Sequence, residues 1–355
     1  MNKSGSAAES GAAISEREAE SLFSLFPKSA PVVLAASGGG DSTALLVLAA
    51  RWRGAQSSGP ALHAATIDHA LRPQSRTEAE LIGALCQSLD VPHAILNWAG
   101  EKPSSGVEAA ARDARRGLLT AHARSLGAAH IATAHTLDDQ AETVLMRLAA
   151  GSGPAGLAAM RMREKQRDMT WLRPFLGIRK QRLIATLQGH GIGWSEDPMN
   201  RDARFERPRL RAAAGVLARE GLTPERLGRL AERMARYETI VAGCADAARE
   251  ALRPTTSGRW DGHALLALPE ELALRLLGME IAACAGGGGT RRDHPIRLQR
   301  LEALWRDLSL CLKERRANRR SLAGALISVL PDGSLTITRE PARHCVRRKA
   351  DNSAS

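Results

Sequence analysis

Short unbroken apolar runs and longer amphipathic stretches alternate through the first half of the chain. Val32 to Ala36 is apolar at every position, the pattern of a strand buried on both faces of a parallel sheet, and runs of the same kind recur at Leu62 to Ile67, Val91 to Trp98 and Ala129 to Ala134. Helical spacing predicts helices between them: Ser15 to Phe26, one carrying Ala44 to Arg51, one ending near Leu89, Val107 to Leu126, and one opening at Asp138. Strand and helix alternating in this way predict an α/β fold, a doubly wound parallel sheet with helices on both faces. From Ala212 the texture becomes Ala, Leu and Arg at helical spacing, through Ala251 and again from Asp261 to Ala285. A basic helix, Pro295 to Lys313, precedes a hairpin of Leu322 to Leu330 and Leu335 to Thr338 about the turn Pro331-Asp332-Gly333. The expected organisation is a tail and short helix at 1–27, the α/β domain at 28–214, a smaller, mainly helical domain with a short hairpin at 215–345, and a disordered tail at 346–355.

The turn after the first strand reads Ser37-Gly38-Gly39-Gly40-Asp41-Ser42. Consecutive glycines permit positive φ and close approach of a ligand, so successive N–H groups can form one cup, and the helix that follows adds its positive dipole end. An anion such as a phosphate chain suits this place. No Lys stands where a Walker loop requires one, and Thr43 occupies the third glycine position of the dinucleotide fingerprint, so neither of those loops is present.

Charge points to the partner. Lys and Arg number 50 against 38 Asp and Glu, a formal +12, and from Arg291 to Lys349 there are 15 basic and 6 acidic residues, a net +9. Such an excess suits nucleic acid, and Arg315, Arg316, Arg319 and Arg320 suit a phosphate backbone. With aromatics at 3%, base stacking on an aromatic sheet is not expected. Five scattered cysteines with no Cys-x-x-Cys pair offer no disulfide framework, zinc site or iron–sulfur site, which implies a reducing, cytoplasmic setting. There is no apolar signal core in the first twenty residues and no apolar run of membrane-spanning length, so no membrane association is expected.

Polar residues at the C-terminal tips of strands mark the binding edge of an open α/β sheet. Asp68-His69 and His135 stand at such tips, and Asp138, Asp139 and Glu142 open the helix after His135. Arg112 shares a helix face with Arg115 and Arg116. The polar stretch 191–211 carries Asp197, Asn200, Asp202, Arg207 and Arg211 in what reads as a long loop entering a helix, the kind of loop that usually has a functional reason.

The hexapeptide resembles the pyrophosphate loop of the N-type ATP pyrophosphatases. With IDHALR, VEAAARDARR, ATAHTLDDQAET, GSGPAGL and WSEDPMNRDARFERPRLR in order from Pro31 to Arg211, the chain is similar to the tRNA(Ile)-lysidine synthetase family. It departs from the family pattern at Thr136, Arg116, Ala150 and Pro208, and its C-terminal part is shorter than in longer members. The resemblance implies a ligase that joins free L-lysine to carbon 2 of the wobble cytidine of tRNA(Ile) with a CAU anticodon, using ATP and releasing AMP and pyrophosphate. In that chemistry the base's O2 attacks the α-phosphorus, and an amine then displaces AMP. Ser37 to Ser42 are then expected to bind ATP, and Asp41 and Asp139 to position Mg²⁺. Arg112, Arg115 and Arg207 would serve the α-phosphate or the tRNA backbone, His135 phosphate contact or proton transfer, and Arg211 and the four C-terminal arginines the tRNA. Asp138, Glu142 and Asp197 are the acids considered for lysine. A homodimer is left open. The nearest rival is a base thiolase of the same superfamily, which needs a reactive cysteine or a cluster held by paired cysteines.

Overall fold

The structure, a computed structural model, describes residues 11–68, 75–99, 107–195, 204, 206–254, 258–285 and 296–341. His69, Asp197, Asn200, Asp202, Gly286 to Gly289, Cys345 and the tail 346–355 lie outside these residues. Contacts divide the chain into two units, 1–235 and 236–355.

The first unit is built on a six-stranded sheet. Its strands are β1 (Val32–Ala35), β2 (Leu62–Asp68), β3 (His93–Asn97), β4 (His130–Ala132), β5 (Arg163–Gln166) and β6 (Met169–Leu172), in the order β3-β2-β1-β4-β6-β5. All neighbours run parallel except β5 and β6, an antiparallel pair at the edge. Alternate residues of β1 enter different cores, which is what burial on both faces means. Val32 and Leu34 face a cluster with Phe23, Leu45, Leu46, Phe175, Leu183 and Leu187, whereas Val33 packs with Ala65, Leu119, Ala123, Ile131 and Trp171. The first cluster is roofed by α1 (Glu16–Phe23), α2 (Gly40–Gly54), α3 (Ser75–Ser88) and α7 (Lys180–Gly189), and the second by α4 (Val107–Ser125). Phe23 is fully buried among the rings of Phe26, Trp52 and Phe175, with centroids 5.1, 5.4 and 6.2 Å away.

The helices α5 (Leu137–Ala149), α6 (Pro154–Leu157), α8 (Glu206–Arg219) and α9 (Pro224–Ala251) follow in chain order with α7. The division between units falls inside α9, later than the expected boundary after residue 214. Leu227 and Ala231 of α9 pack with Ala141 and Val144 of α5, so the start of α9 belongs to the first unit's core. The strands β5 and β6 occupy a stretch that reads as irregular in sequence. Arg163–Gln166 is wholly polar and sits at the open edge, so no apolar alternation announces it.

The second unit contains α10 (Gly262–Ala267), α11 (Glu270–Ala285) and α12 (Leu298–Lys313). It also holds a four-stranded antiparallel sheet of β7 (Arg259–Asp261), β8 (Asn318–Leu322), β9 (Ala325–Val329) and β10 (Ser334–Arg339), ordered β7-β10-β9-β8. The single hairpin expected from Leu322 to Thr338 is thus part of a larger sheet. β8, Asn-Arg-Arg-Ser-Leu, is a polar edge, and Ala323 (φ 51) and Gly324 (φ 87) turn it back into β9. Leu308, Leu312, Ile281, Ala325, Ile327 and Leu335 form the core between helices and sheet.

Candidate adenylation site

The strand order reverses direction between β1 and β4, and in an open α/β sheet the crevice at the carboxyl ends of such strands is where ligands bind. The chain places the glycine loop on one side of this crevice and His135 with the start of α5 on the other.

On the β1 side the loop is closed by its own hydroxyls. Ser37 N–H donates to Ser42 Oγ (3.1 Å), Ser42 Oγ–H to the Gly39 carbonyl (2.9 Å) and Thr43 Oγ1–H to the Gly38 carbonyl (3.3 Å). Gly38 has φ +86, a conformation that favours glycine. Gly39 caps α2 without a side-chain hydrogen bond, so the cap residue leaves the helix's first N–H groups open. These groups and the dipole are the elements of an anion cup. The loop is strapped from outside: Ser195 N–H donates to the Gly38 carbonyl (2.9 Å), and Ser195 Oγ–H donates to Glu78 (3.1 Å).

Asp41 lies in the first turn of α2. Its Oδ2 accepts from Lys180 Nζ at 2.8 Å, while Oδ1 is buried and has no hydrogen-bond partner among the described residues. Burial raises its pKa above the ordinary carboxylate value, against the lowering pull of Lys180. On the β4 side, Thr136 and Asp139 form a reciprocal cap. Thr136 N–H donates to Asp139 Oδ2 (2.9 Å), and Asp139 N–H donates to Thr136 Oγ1 (3.3 Å). The other oxygen, Asp139 Oδ1, lies 3.6 Å from both Arg207 and Arg211. Burial opposes its charge, but the Thr136 N–H, His135 and Arg207 outweigh burial and hold its pKa below the usual value.

Arg207 and Arg211 are one turn apart on α8, so the stretch read as a loop delivers them from a helix face. Arg211 grips the Glu142 carboxylate through Nε (2.6 Å) and Nη2 (3.2 Å). The Glu142 pKa is raised by burial, with Arg211 pulling the other way. His135 Nδ1 bonds Thr133 Oγ1 at 2.9 Å. Burial lowers the His135 pKa, Asp139 opposes this, and the positive field of Arg173, Arg207 and Arg112 adds to the lowering, so the ring is neutral at pH 7. Its link to Arg112 places that residue in the same electrostatic neighbourhood.

Asp139, Glu142, Arg207 and Arg211 thus form one ion-pair cluster, the charges of Asp139 and Arg211 reach Asp41, and those of Asp139, Arg207 and Arg112 reach His135. Arg115 lies one turn along α4 from Arg112, and desolvation together with the Arg112 charge lowers its pKa; the third member of that face, Arg116, turns to the sheet edge, where its guanidinium lies 5.0 Å from the Trp171 ring centroid. Asp138 accepts from Arg179 Nε (3.1 Å) and from Lys180 N–H (2.7 Å). Arg315, Arg316, Arg319 and Arg320 are exposed in the second unit. Arg316 is 3.3 Å from Glu314 and Arg320 is 3.3 Å from Asp307. Among the described residues, no three His, Cys, Asp or Glu side chains converge to hold a metal, and no helix is long and apolar enough to cross a membrane.

Two residues escaped the sequence reading. Arg173, 6% exposed at the end of β6, donates to the Arg161 carbonyl (2.8 Å) and to Glu164 (2.8 Å). Lys180 is the other. A detectable signal existed, because Arg179 and Lys180 put two cations at the start of α7, the end at which the dipole disfavours them. Acids from two other helices, Asp138 and Asp41, answer that charge.

Residues 12–216 match a family model described as a PP-loop domain. A tRNA(Ile)-lysidine synthase from Bradyrhizobium sp. is 44% identical over 349 residues, which is 93% of this chain and 96% of that protein. One from Rhodopseudomonas palustris is 44% identical over 94% of this chain and 98% of its own length. One from Methylobacterium sp. reaches 48% identity over 89% and 91%. Among solved structures, the U34-tRNA thiolase NcsA from Methanococcus maripaludis aligns with TM-score 0.54 over 62% of this chain and 77% of its own, at 16% identity, a likeness of fold alone.

Proposed function

The chain belongs to the tRNA(Ile)-lysidine synthase family, and we propose that it ligates lysine to carbon 2 of the wobble cytidine of tRNA(Ile) with a CAU anticodon, by adenylating that base at the β1/β4 crevice. The observation that carries the site assignment is the glycine loop after β1 standing beside the His135 and Asp139 edge after the neighbouring β4, with Arg207 and Arg211 brought onto that edge.

The cytosine carbonyl is a poor electrophile, so O2 of the base attacks the α-phosphorus of ATP. The O2–P bond forms, the bond to the bridging oxygen breaks, and pyrophosphate leaves with the electron pair. The loop N–H groups and the α2 dipole oppose the negative charge that builds on this leaving group. Arg112, Arg115 and Arg207 supply positive potential for the α-phosphate or the tRNA backbone. Neutral His135, its Nδ1 engaged by Thr133, has Nε2 available for a phosphate contact or a proton.

Mg²⁺ fits this donor set. Asp41 keeps one buried oxygen without a partner among the described residues, and Mg²⁺ is usually held by one or two carboxylates together with substrate phosphates. Asp139 is the second candidate ligand, and it would have to give up an arginine contact to serve. When bound, the ion neutralises charge on the departing pyrophosphate.

In the second step the lysine ε-amine attacks carbon 2 and AMP leaves with the electrons of the C2–O bond. An anionic group must hold the substrate α-ammonium. Of the acids considered, Glu142 joins the adenylation set through Arg211, whereas Asp138 is turned to Arg179. The exposed arginines of the second unit are the candidate tRNA contacts beyond the anticodon. A soluble homodimer in the cytoplasm is compatible with this reading.

The test supplies ATP, labelled lysine and unmodified tRNA(Ile). Label recovered in a nucleoside after digestion of the tRNA is the expected result. Label absent from nucleosides, with sulfur incorporated from a donor instead, would favour the thiolase.

A further inference from the structure

We infer that Lys180 is a further substrate-binding residue of this site: its ammonium holds Asp41 in the ligand-free protein and moves onto the pyrophosphate oxygens when ATP enters. The inference rests on the phosphate-loop reading above and adds a residue to it.

The placement is specific. Lys180 is the first residue of α7, and Ile184 follows one turn later on the same face. Ile184 Cδ1 would lie 2.6 Å from a Cβ built on Gly40, so α7 rests directly on the glycine loop. Leu183 and Leu187 anchor the helix in the core shared with Leu45 and Leu46 of α2. The side chain of Lys180 therefore stands over the entrance to the cup, with its ammonium 2.8 Å from Asp41 Oδ2.

Folding does not account for the pair. Half of the Lys180 side chain is exposed, a setting in which ion pairs contribute little, and a cation at the start of a helix opposes the dipole. Binding does account for it. Asp41 puts a negative charge in the first turn of the helix that must receive pyrophosphate, and without a neighbouring cation that charge repels the ligand. Lys180 cancels the repulsion, and an ammonium has three N–H donors, of which Asp41 takes one. As the amine swings to the phosphate oxygens, Asp41 Oδ2 is released beside Oδ1, which has no partner among the described residues.

Calorimetric titration of the full chain with inorganic pyrophosphate, in buffer with a chelator and no divalent cation, isolates the protein's own contacts. Lys180→Gln should bind at least about tenfold more weakly than wild type, and Lys180→Arg should remain within about threefold. The double variant Asp41→Asn with Lys180→Gln separates direct contact from charge cancellation. It should stay at least about fivefold weaker than Asp41→Asn alone. Equal binding by those two proteins would overturn the direct contact, as would wild-type affinity in a Lys180→Gln protein whose circular dichroism is unchanged. A wild-type protein that binds no pyrophosphate would refute the phosphate-loop reading itself, and the inference with it.

Discussion

Replacing Asp41 by Asn separates what the site does from what holds the fold together. The carboxylate sits at the positive end of α2 and bonds Lys180 at 2.8 Å. An acid near a helix N-terminus contributes about 0.3–1 kcal/mol, and an ion pair whose lysine is half exposed about 0.2–1 kcal/mol. Against these stands desolvation, strong enough to raise the Asp41 pKa above its ordinary 3.8. A pKa raised on folding means that the folded protein disfavours the ionised form. Stability therefore falls as pH rises from the unfolded value through the folded one, and the deficit persists at neutral pH. The opposing contributions leave Asp41→Asn within about 1 kcal/mol of wild type, stabilising or destabilising. At about 2–4 °C per kcal/mol for a unit of this size, the melting temperature should move by no more than about 4 °C. Activity should respond far more strongly. Electrostatic or metal-borne stabilisation of a leaving pyrophosphate is worth several kcal/mol, so losing about 3 kcal/mol would slow tRNA-dependent pyrophosphate–ATP exchange by at least about a hundredfold. Differential scanning calorimetry and the exchange assay on one preparation decide the matter. A melting temperature lowered by 10 °C or more would make Asp41 a structural residue, roughly the shift expected of a lost core contact. Exchange within about threefold of wild type would remove it from the site.

Further predictions rest on separate contacts. Arg173→Met should remove the ion-pair partner of the part-buried Glu164 carboxylate, leaving it the Gln166 amide, and cost about 2 kcal/mol by denaturant titration; a loss below about 0.5 kcal/mol would contradict that pairing. Neutralising Arg315 and Arg319 should lower the salt slope of tRNA binding by about 2, whereas Arg316 and Arg320, which face Glu314 and Asp307, should matter less; an unchanged slope would make the patch a solvated face. In the native protein at pH 8, Cys244 should react with a thiol reagent. Cys86, buried and with its thiol pushed up to about 11, should resist until the chain unfolds; equal labelling in peptide mass spectra would contradict the packing beneath α3.

The parallel sheet and its loop were legible because both are written locally. A strand covered on both faces must be apolar throughout, and a turn that cradles an anion must be glycine-rich, so Val32 to Ser42 announces strand, cup and helix in eleven positions. What escaped depends on distance along the chain. Lys180 meets Asp41 across 139 positions and Arg211 meets Glu142 across 69, and no spacing rule reaches that far. Edge strands escaped for another reason. Arg163–Gln166 and Asn318–Leu322 bury little and so carry no apolar alternation, and their polar side chains read as loop. Arg207 and Arg211 were found by type, and the helix their loop was expected to enter begins earlier, at Glu206, because the polar composition of 191–211 masked its first turns.

The central claim is that ATP activates the RNA base and not the amino acid. Exchange of labelled pyrophosphate into ATP, followed with tRNA(Ile) present and lysine omitted, tests it most directly. Exchange that requires the tRNA and proceeds without lysine is the predicted result. Exchange that requires lysine and proceeds without tRNA would mean that the amino acid is adenylated instead, and would contradict the account.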